Sequence, residues 1–318
     1  MNIIISPFTV TNNEYINITK KNLINIGYEI SPMHFKLIFK RGNNIFIGNW
    51  IEDSISGKGI KLLKGFALAL IKICYAKLAA KKFIWIRHNF KPHSGNRDNR
   101  LYEIIIKLLI LVSDAKCSHA EYMLGYEYIP HPLYDIKCGD KLLSTIRDVE
   151  FIYFGIISRY KGLIELLSEW PEDRKLVLYG KCDDVILAKQ LKKLIISRKL
   201  QVKYKFEFIS EEELQKIFSQ AKYIILPHSL DTMIVSGAFF HAISYGLNIL
   251  VNNNKFGVEI AQRHSFCTVF ENGNLNKIFP LLKYVHPDDV ISEARRFYGP
   301  QIVQKKWFDL LNKLINLN

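Results

Sequence analysis

The sequence predicts an α/β protein made of two parallel-sheet domains. Short apolar runs, such as Ile3-Ile4-Ile5 and the stretch 82–87 (KFIWIR), alternate with longer segments whose apolar residues recur at helical spacing. The runs are apolar at consecutive positions, as in strands covered on both faces. The alternation pauses over 139–149 and restarts at 150, and 318 residues suffice for two cores. The expected division is a first domain at 1–138, a linker at 139–149, a second domain at 150–296, and a C-terminal helix at 297–318 packing back on the first domain.

In the first half, Ile3–Ile5 opens as a buried strand. Residues 13–26 show helical spacing (Ile16, Leu23, Ile26) up to Gly27, and 28–30 is extended. Two short apolar stretches follow, at 36–40 and 44–50, the second running into Glu52 and Asp53. Residues 62–80 read as a long helix and 82–87 as a strand. A polar loop at 88–100 holds His88, Asn89 and His93. Helix 102–113 and extended pieces at 115–118 and 126–130 complete this half.

In the second half, 150–157 (EFIYFGII) is a strand with Gly155 near its end. The basic turn Ser158-Arg159-Tyr160-Lys161-Gly162 and a helix at 163–169 follow. Strand 174–179 stops at Gly180, 185–198 is helical and 204–209 extended. Ser210 caps a helix at 211–220 with acids in its first turn. Strand 221–226 leads into LPHSLDTMIVSGAFFHAISYGLNILV (226–251): a turn, a Ser236-Gly237 step opening a helix, and a Gly246 stop. Such a step aims free amides and the positive end of a helix dipole at whatever lies above the strand edge, which suits a phosphate. Helices at 275–284, 288–297 and 300–317 close the chain, the last with Ile302, Val303, Trp307, Leu310, Leu311 and Leu314 as its apolar positions.

Composition narrows the function classes. Lys and Arg outnumber Asp and Glu by 44 to 30, giving +14, a charge that attracts nucleic acid, anionic lipid or a phosphorylated substrate. The lysines are dispersed and no nucleic-acid-binding signature occurs, so no nucleic-acid partner is expected. Cys74, Cys117, Cys138, Cys182 and Cys267 form no CxxC pair, and the start MNIIISPFTV resembles no secretory leader. A reducing, cytoplasmic setting with no zinc is the expectation. Lys64, Lys72 and Lys77 interrupt the run 62–80, and 104–112 is shorter than the ~20 residues a membrane span needs. The basic helix 62–80 then either covers a sheet or rests on a membrane surface.

Several stretches in order resemble the GT-B fold of nucleotide-sugar glycosyltransferases. FGIISRYKG (154–162), LVLYGKCDD (176–184), FEFISEEELQKIFSQAKYIILPHS (206–229) and SGAFFHAISYG (236–246) are similar to the nucleotide domain of family 4-like members. WIRHNFKPHSG (85–95) and YIPHP (128–132) resemble members that build bacterial exopolysaccharide, O-antigen or capsule. The resemblance implies two Rossmann-like domains facing each other across a cleft, the first taking the acceptor. It implies a metal-independent hexosyltransferase with no cofactor, peripheral on the inner face of a membrane. The donor would be a nucleoside diphosphate sugar and the acceptor a lipid-linked saccharide. Its donor site would comprise Gly155, Arg159, Lys161, Gly180, His228, Thr232, Ser236, Gly237 and His241.

The sequence also departs from that family. Met233 and His241 stand where retaining family 4 members carry the two glutamates of a Glu-x7-Glu motif, and Arg159 is only two residues before Lys161. The chain has no Asp-x-Asp triplet, the usual metal-bridging signature of the other large glycosyltransferase fold. Retention or inversion at the sugar carbon therefore stays open, and the alternatives to an active transferase are an inactive GT-B scaffold and, behind it, a basic nucleic-acid-binding protein. An inverting reaction needs a base on the acceptor side. Glu52, His93 and His88 are the candidates, with Asp53 and Asn89 beside them on the acceptor side.

Overall fold

The computed structural model of the protein describes residues 1–10, 13–55, 57–90, 100–136, 146–228 and 233–316. The chain forms two compact units, Met1–Pro132 together with Tyr298–Asn318, and Leu133–Phe297. In chain order the elements of the first part are β1 (Asn2–Ser6), α1 (Tyr15–Asn25), β2 (Glu29–Ser31), β3 (Asn44–Asn49), α2 (Ile60–Ala79), β4 (Lys82–Arg87), α3 (Arg100–Val112), β5 (Ala115–Ser118) and β6 (Glu127–Tyr128). There follow β7 (Val149–Phe154), α4 (Leu163–Glu169), β8 (Leu176–Tyr179), α5 (Val185–Ser197), β9 (Val202–Lys205), α6 (Glu211–Gln220) and β10 (Ala221–Leu226). The last are α7 (Gly237–Ser244), β11 (Asn248–Asn252), α8 (Lys255–Arg263), β12 (Cys267–Phe270), α9 (Leu275–Ile278), α10 (Pro287–Tyr298) and α11 (Pro300–Asn316).

The first unit is a six-stranded sheet in the order β2-β1-β3-β4-β5-β6, every pairing parallel. Side chains alternate across it. Ile3, Ile5, Ile45, Ile47, Ile84 and Ile86 face one way, against α1 and α11. Ile4, Phe46, Phe83 and Trp85 face the other, against α2 and α3. Both faces are covered, which is why these strands read as unbroken apolar runs.

As the sequence predicts, the C-terminal helix packs back on the first sheet. Val303, Trp307, Leu310, Leu311 and Leu314 of α11 are buried with Ile16 and Leu23 of α1. Gln304 donates to Asn22 at 3.0 Å. Ile302, read as apolar packing, is instead 37% exposed.

The second unit holds six parallel strands in the order β12-β11-β10-β7-β8-β9. Phe151, Tyr153, Leu176, Leu178, Tyr223, Ile225 and Leu250 meet α4, α5 and α9 in one core. α7 packs on β10 and β11. α6 starts where the sequence predicts: Ser210 Oγ accepts from Glu213 N at 3.2 Å, and Glu211, Glu212 and Glu213 occupy the positive end of the helix. Arg147 ties the unit together by donating to the carbonyls of Phe218, Ala221 and Tyr245.

Three local expectations differ from the structure. The apolar stretch 36–40 lies within a 3-10 segment, Phe35–Asn43, whose Phe35 and Phe39 stand in solvent. The strand expected at 204–209 is Val202–Lys205. The helix expected at 275–284 ends after one turn because Pro280 converts it to the 3-10 turn Phe279–Leu281. Among the described residues no helix is long and apolar enough to cross a membrane.

Candidate functional site

In open parallel sheets the ligand crevice lies beyond the carboxyl ends of the strands, where the strand order reverses. In the second unit that reversal falls between β7 and β10. The loop after β7 carries Gly155, Ser158, Arg159, Lys161 and Gly162, and the loop after β10 carries Pro227 and His228.

The two loops close on each other. Gly162 has φ +72°, and a Cβ there would overlap the Pro227 carbonyl oxygen. Only glycine fits. That approach sets Lys161 Nζ 2.6 Å from His228 Nε2, with the imidazole buried and the lysine half-buried. The ammonium donates, so the neutral His228 carries its own proton on Nδ1. Burial pushes the Lys161 ammonium down to about 8. A half-buried cation whose protonation is this expensive favours an anion beside it.

Other donor-side candidates separate by their partners. Arg159 is engaged, its guanidinium donating to Asp184 at 3.0 Å and to Gln190 at 3.2 Å. Gly180, φ +155°, allows the ends of β7 and β8 to touch, because a Cβ would overlap the Gly155 carbonyl. Ser236 is buried at the N-cap of α7 and its hydroxyl makes no cap hydrogen bond; Gly237 follows as the first helical residue. One turn along, His241 stacks on Tyr134 with ring centres 4.4 Å apart and meets Phe154 of β7 edge-on at 6.2 Å. Burial pushes its imidazole down to about 4, so it is neutral near pH 7. Thr232 lies outside the described residues.

In the first unit β3 and β4 are neighbours, and their loops bring Glu52, Asp53, His88 and Asn89 to one end of the sheet. Glu52 is fully buried and its Oε2 accepts from the Trp85 indole at 3.0 Å. Asp53 Oδ2 accepts from Asn89 Nδ2 at 2.9 Å. Glu52 Oε1 and Asp53 Oδ1 are buried without a hydrogen-bond partner. Burial first, then the neighbouring Asp53 charge, pushes the Glu52 carboxyl up to about 8, and burial lifts Asp53 to about 6. Glu52 thus holds its proton at neutral pH.

His88 is differently placed. Its Nε2 faces Asn49 Oδ1 at 3.0 Å, which leaves the lone pair of the neutral ring on Nδ1. Trp50, held at φ +50°, stacks on it with centres 4.3 Å apart. His93 lies outside the described residues.

Sequence reading missed a group around His88. Tyr15 touches the rings of His88, His119 and His131. His119 faces the Ile129 carbonyl at 2.7 Å and the Tyr15 hydroxyl at 3.0 Å. Burial pushes His119 down to about 4 and His131 well below its ordinary value. The available signal was position: His119 directly follows β5. In the second unit Ser158 was likewise passed over; its Oγ is buried without a hydrogen-bond partner in the loop that bears Lys161. Among the described residues no three His, Cys, Asp or Glu side chains are grouped to hold a metal ion.

This α/β architecture of two Rossmann-like units, each a six-stranded parallel sheet, is the GT-B type, and solved structures share it over nearly the whole chain. The glycosyltransferase AviGT4, involved in avilamycin A biosynthesis, superposes with a TM-score of 0.64 at 12% identity, covering 100% of this chain and 98% of that chain. Anabaena HepE, solved with UDP and glucose, gives 0.67 at 10% identity, covering 98% and 100%. Sucrose-phosphate synthase from Thermosynechococcus elongatus gives 0.69 at 11%, covering 100% and 99%. No protein-family model matches the chain, and no curated protein sequence matches it. At these identities the likeness is one of fold.

Proposed function

We propose that the protein is a glycosyltransferase that moves a hexose from a nucleoside diphosphate sugar to a lipid-linked saccharide, in the building of a bacterial surface polysaccharide at the cytoplasmic face of the membrane. The Lys161–His228 pair at the strand-order reversal of the second sheet carries this reading. A departing nucleoside diphosphate gains negative charge as the glycosidic bond breaks, and a fixed cation in a partly desolvated loop stabilises that charge without reorganising. Ser236 and the amides at the start of α7 add neutral donors. Charge on the leaving group is met in this way rather than by a metal ion. HepE, of the same fold, was solved with UDP and glucose.

On the acceptor side His88 suits the role of base better than Glu52. The His88 imidazole faces Asn49 Oδ1 at 3.0 Å, whereas the Glu52 carboxyl keeps its proton at neutral pH. Asp53 and Asn89 then hold the acceptor hydroxyls. A thermal-shift screen with UDP-, GDP- and dTDP-sugars tests the donor half. At least one should raise the unfolding midpoint, and the rise should vanish in Lys161→Met. A screen in which none stabilises the folded chain defeats the proposal. Stabilisation without sugar transfer to any lipid-linked saccharide would mark an inactive scaffold.

A further inference from the structure

α2 carries two apolar stripes. Gly65, Ala69, Ile73 and Ala76 face the sheet and are buried. Ile60, Leu63, Ala67, Ile71, Cys74 and Leu78 follow one another three or four residues apart on the opposite side and lie in solvent. Ile60 is 73% exposed, Leu63 60%, Ile71 61% and Leu78 56%. A helix lying on a sheet ordinarily turns polar residues outward. Here the outward stripe continues for about 27 Å along the helix.

The surroundings of the stripe are basic. Lys64 and Lys77 flank it on either side, with Lys61 further round the first turn, all exposed. Lys77 also reaches Asp114 at 3.7 Å. No Asp or Glu occurs in the sequence between Asp53 and Asp98. Beside α2, Tyr75 holds both the backbone N–H and the carbonyl of His34, at 2.8 and 2.9 Å. That fixes the adjoining 3-10 segment, where Phe35 and Phe39 pair edge-on at 5.5 Å in solvent, among exposed Lys36, Lys40 and Arg41.

We propose that this face of the first unit docks on an anionic lipid bilayer. Apolar side chains of a helix lying flat enter the acyl boundary, while lysine stems lie along it and their ammonium groups reach lipid phosphates. Cations along both sides of a straight apolar stripe match a surface of uniform negative charge. The proposal rests on none of the donor-site residues.

Flotation of the full chain with vesicles tests it, using POPC alone and POPC with about one-third POPG. The wild type should partition onto the POPG vesicles at least about tenfold more strongly. Leu63→Gln with Ile71→Gln, and separately Lys61→Gln with Lys64→Gln, should each weaken that partition by about tenfold without moving the unfolding midpoint. Lack of flotation with either vesicle overturns the proposal, as does a Leu63→Gln/Ile71→Gln variant that floats like the wild type. A wild type that dimerises without lipid, and becomes monomeric in that variant, assigns the stripe to a second copy instead. The UDP-sugar thermal shift, measured on the same variants, reports the donor site separately.

Discussion

The two sheets deliver loops to the same kind of place and equip them with opposite chemistry. Beyond β3, β4 and β5 of the first unit stand carboxyl groups and imidazoles enclosed by Trp50, Trp85 and Tyr15. Beyond β7 and β10 of the second stand a lysine on an imidazole and two glycines, with no carboxyl group in that contact and backbone approaching backbone. Burial disfavours the charged form in both, raising the acids of the first and lowering its imidazoles and the lysine of the second. A parallel sheet thus supplies position, and the loop side chains decide which charges that position holds.

The largest expected effect breaks the second unit's loop contact. Gly162→Ala must relieve an overlap with Pro227 and hold an alanine at φ +72°, so it should cost about 4 kcal/mol and abolish nucleotide stabilisation. Gly125→Ala in the first unit has a similar φ of +79° but open space around it, and should cost only about 1 kcal/mol. Urea unfolding of both variants makes the comparison, and equal costs would remove the case for a built loop contact.

Next comes the first unit's buried acid. The unfolded chain ionises Glu52 near 4.5 and the folded chain near 8, so the unfolded state sheds its proton first and stability falls as pH rises between those values. Glu52→Gln should therefore stabilise the protein at pH 8 by about 4 kcal/mol, while changing little at pH 4. Unfolding free energies at the two pH values decide it; an unchanged pH slope in the variant would show that Glu52 ionises normally.

The smallest of the three tests the proposed anion role of Lys161. Lys161→Met should weaken UDP binding by about 100-fold, or ~2.7 kcal/mol. In the wild type, affinity should fall as pH rises through about 8, where the free protein loses the ammonium that the bound anion retains. Calorimetry in buffers of different ionisation heat should detect proton uptake near pH 8, and none in the variant.

Much of the frame was legible in the residues because doubly covered strands announce themselves. Lys82–Arg87, Ala115–Ser118 and Ala221–Leu226 form strands with the expected ends, since each apolar run is bounded by polar or helical sequence. α6 was equally plain, its cap and acidic first turn adding to the apolar period. The segment Phe35–Asn43 was not: two exposed phenylalanines give an apolar stretch with no core behind it. In the candidate sites, position past a strand end was readable and partnership was not. Lys161 meets His228 only because two loops 67 residues apart in sequence converge, and Glu52 meets the Trp85 indole only because β4 lies beside β3, while burial and the Asp53 charge hold its proton.

α11 has a consequence for the order in which the molecule can be made. Residues 1–132 emerge from the ribosome first, yet one side of their sheet lacks Trp307, Leu311 and Leu314 until the whole second unit has been synthesised. The second unit is contiguous and can close on its own, whereas the first waits as an open-faced sheet that needs shielding from other chains. A chain stopped after Gly299 should accordingly show a protease-resistant second unit and a first unit that resists only when a peptide of residues 300–318 is added.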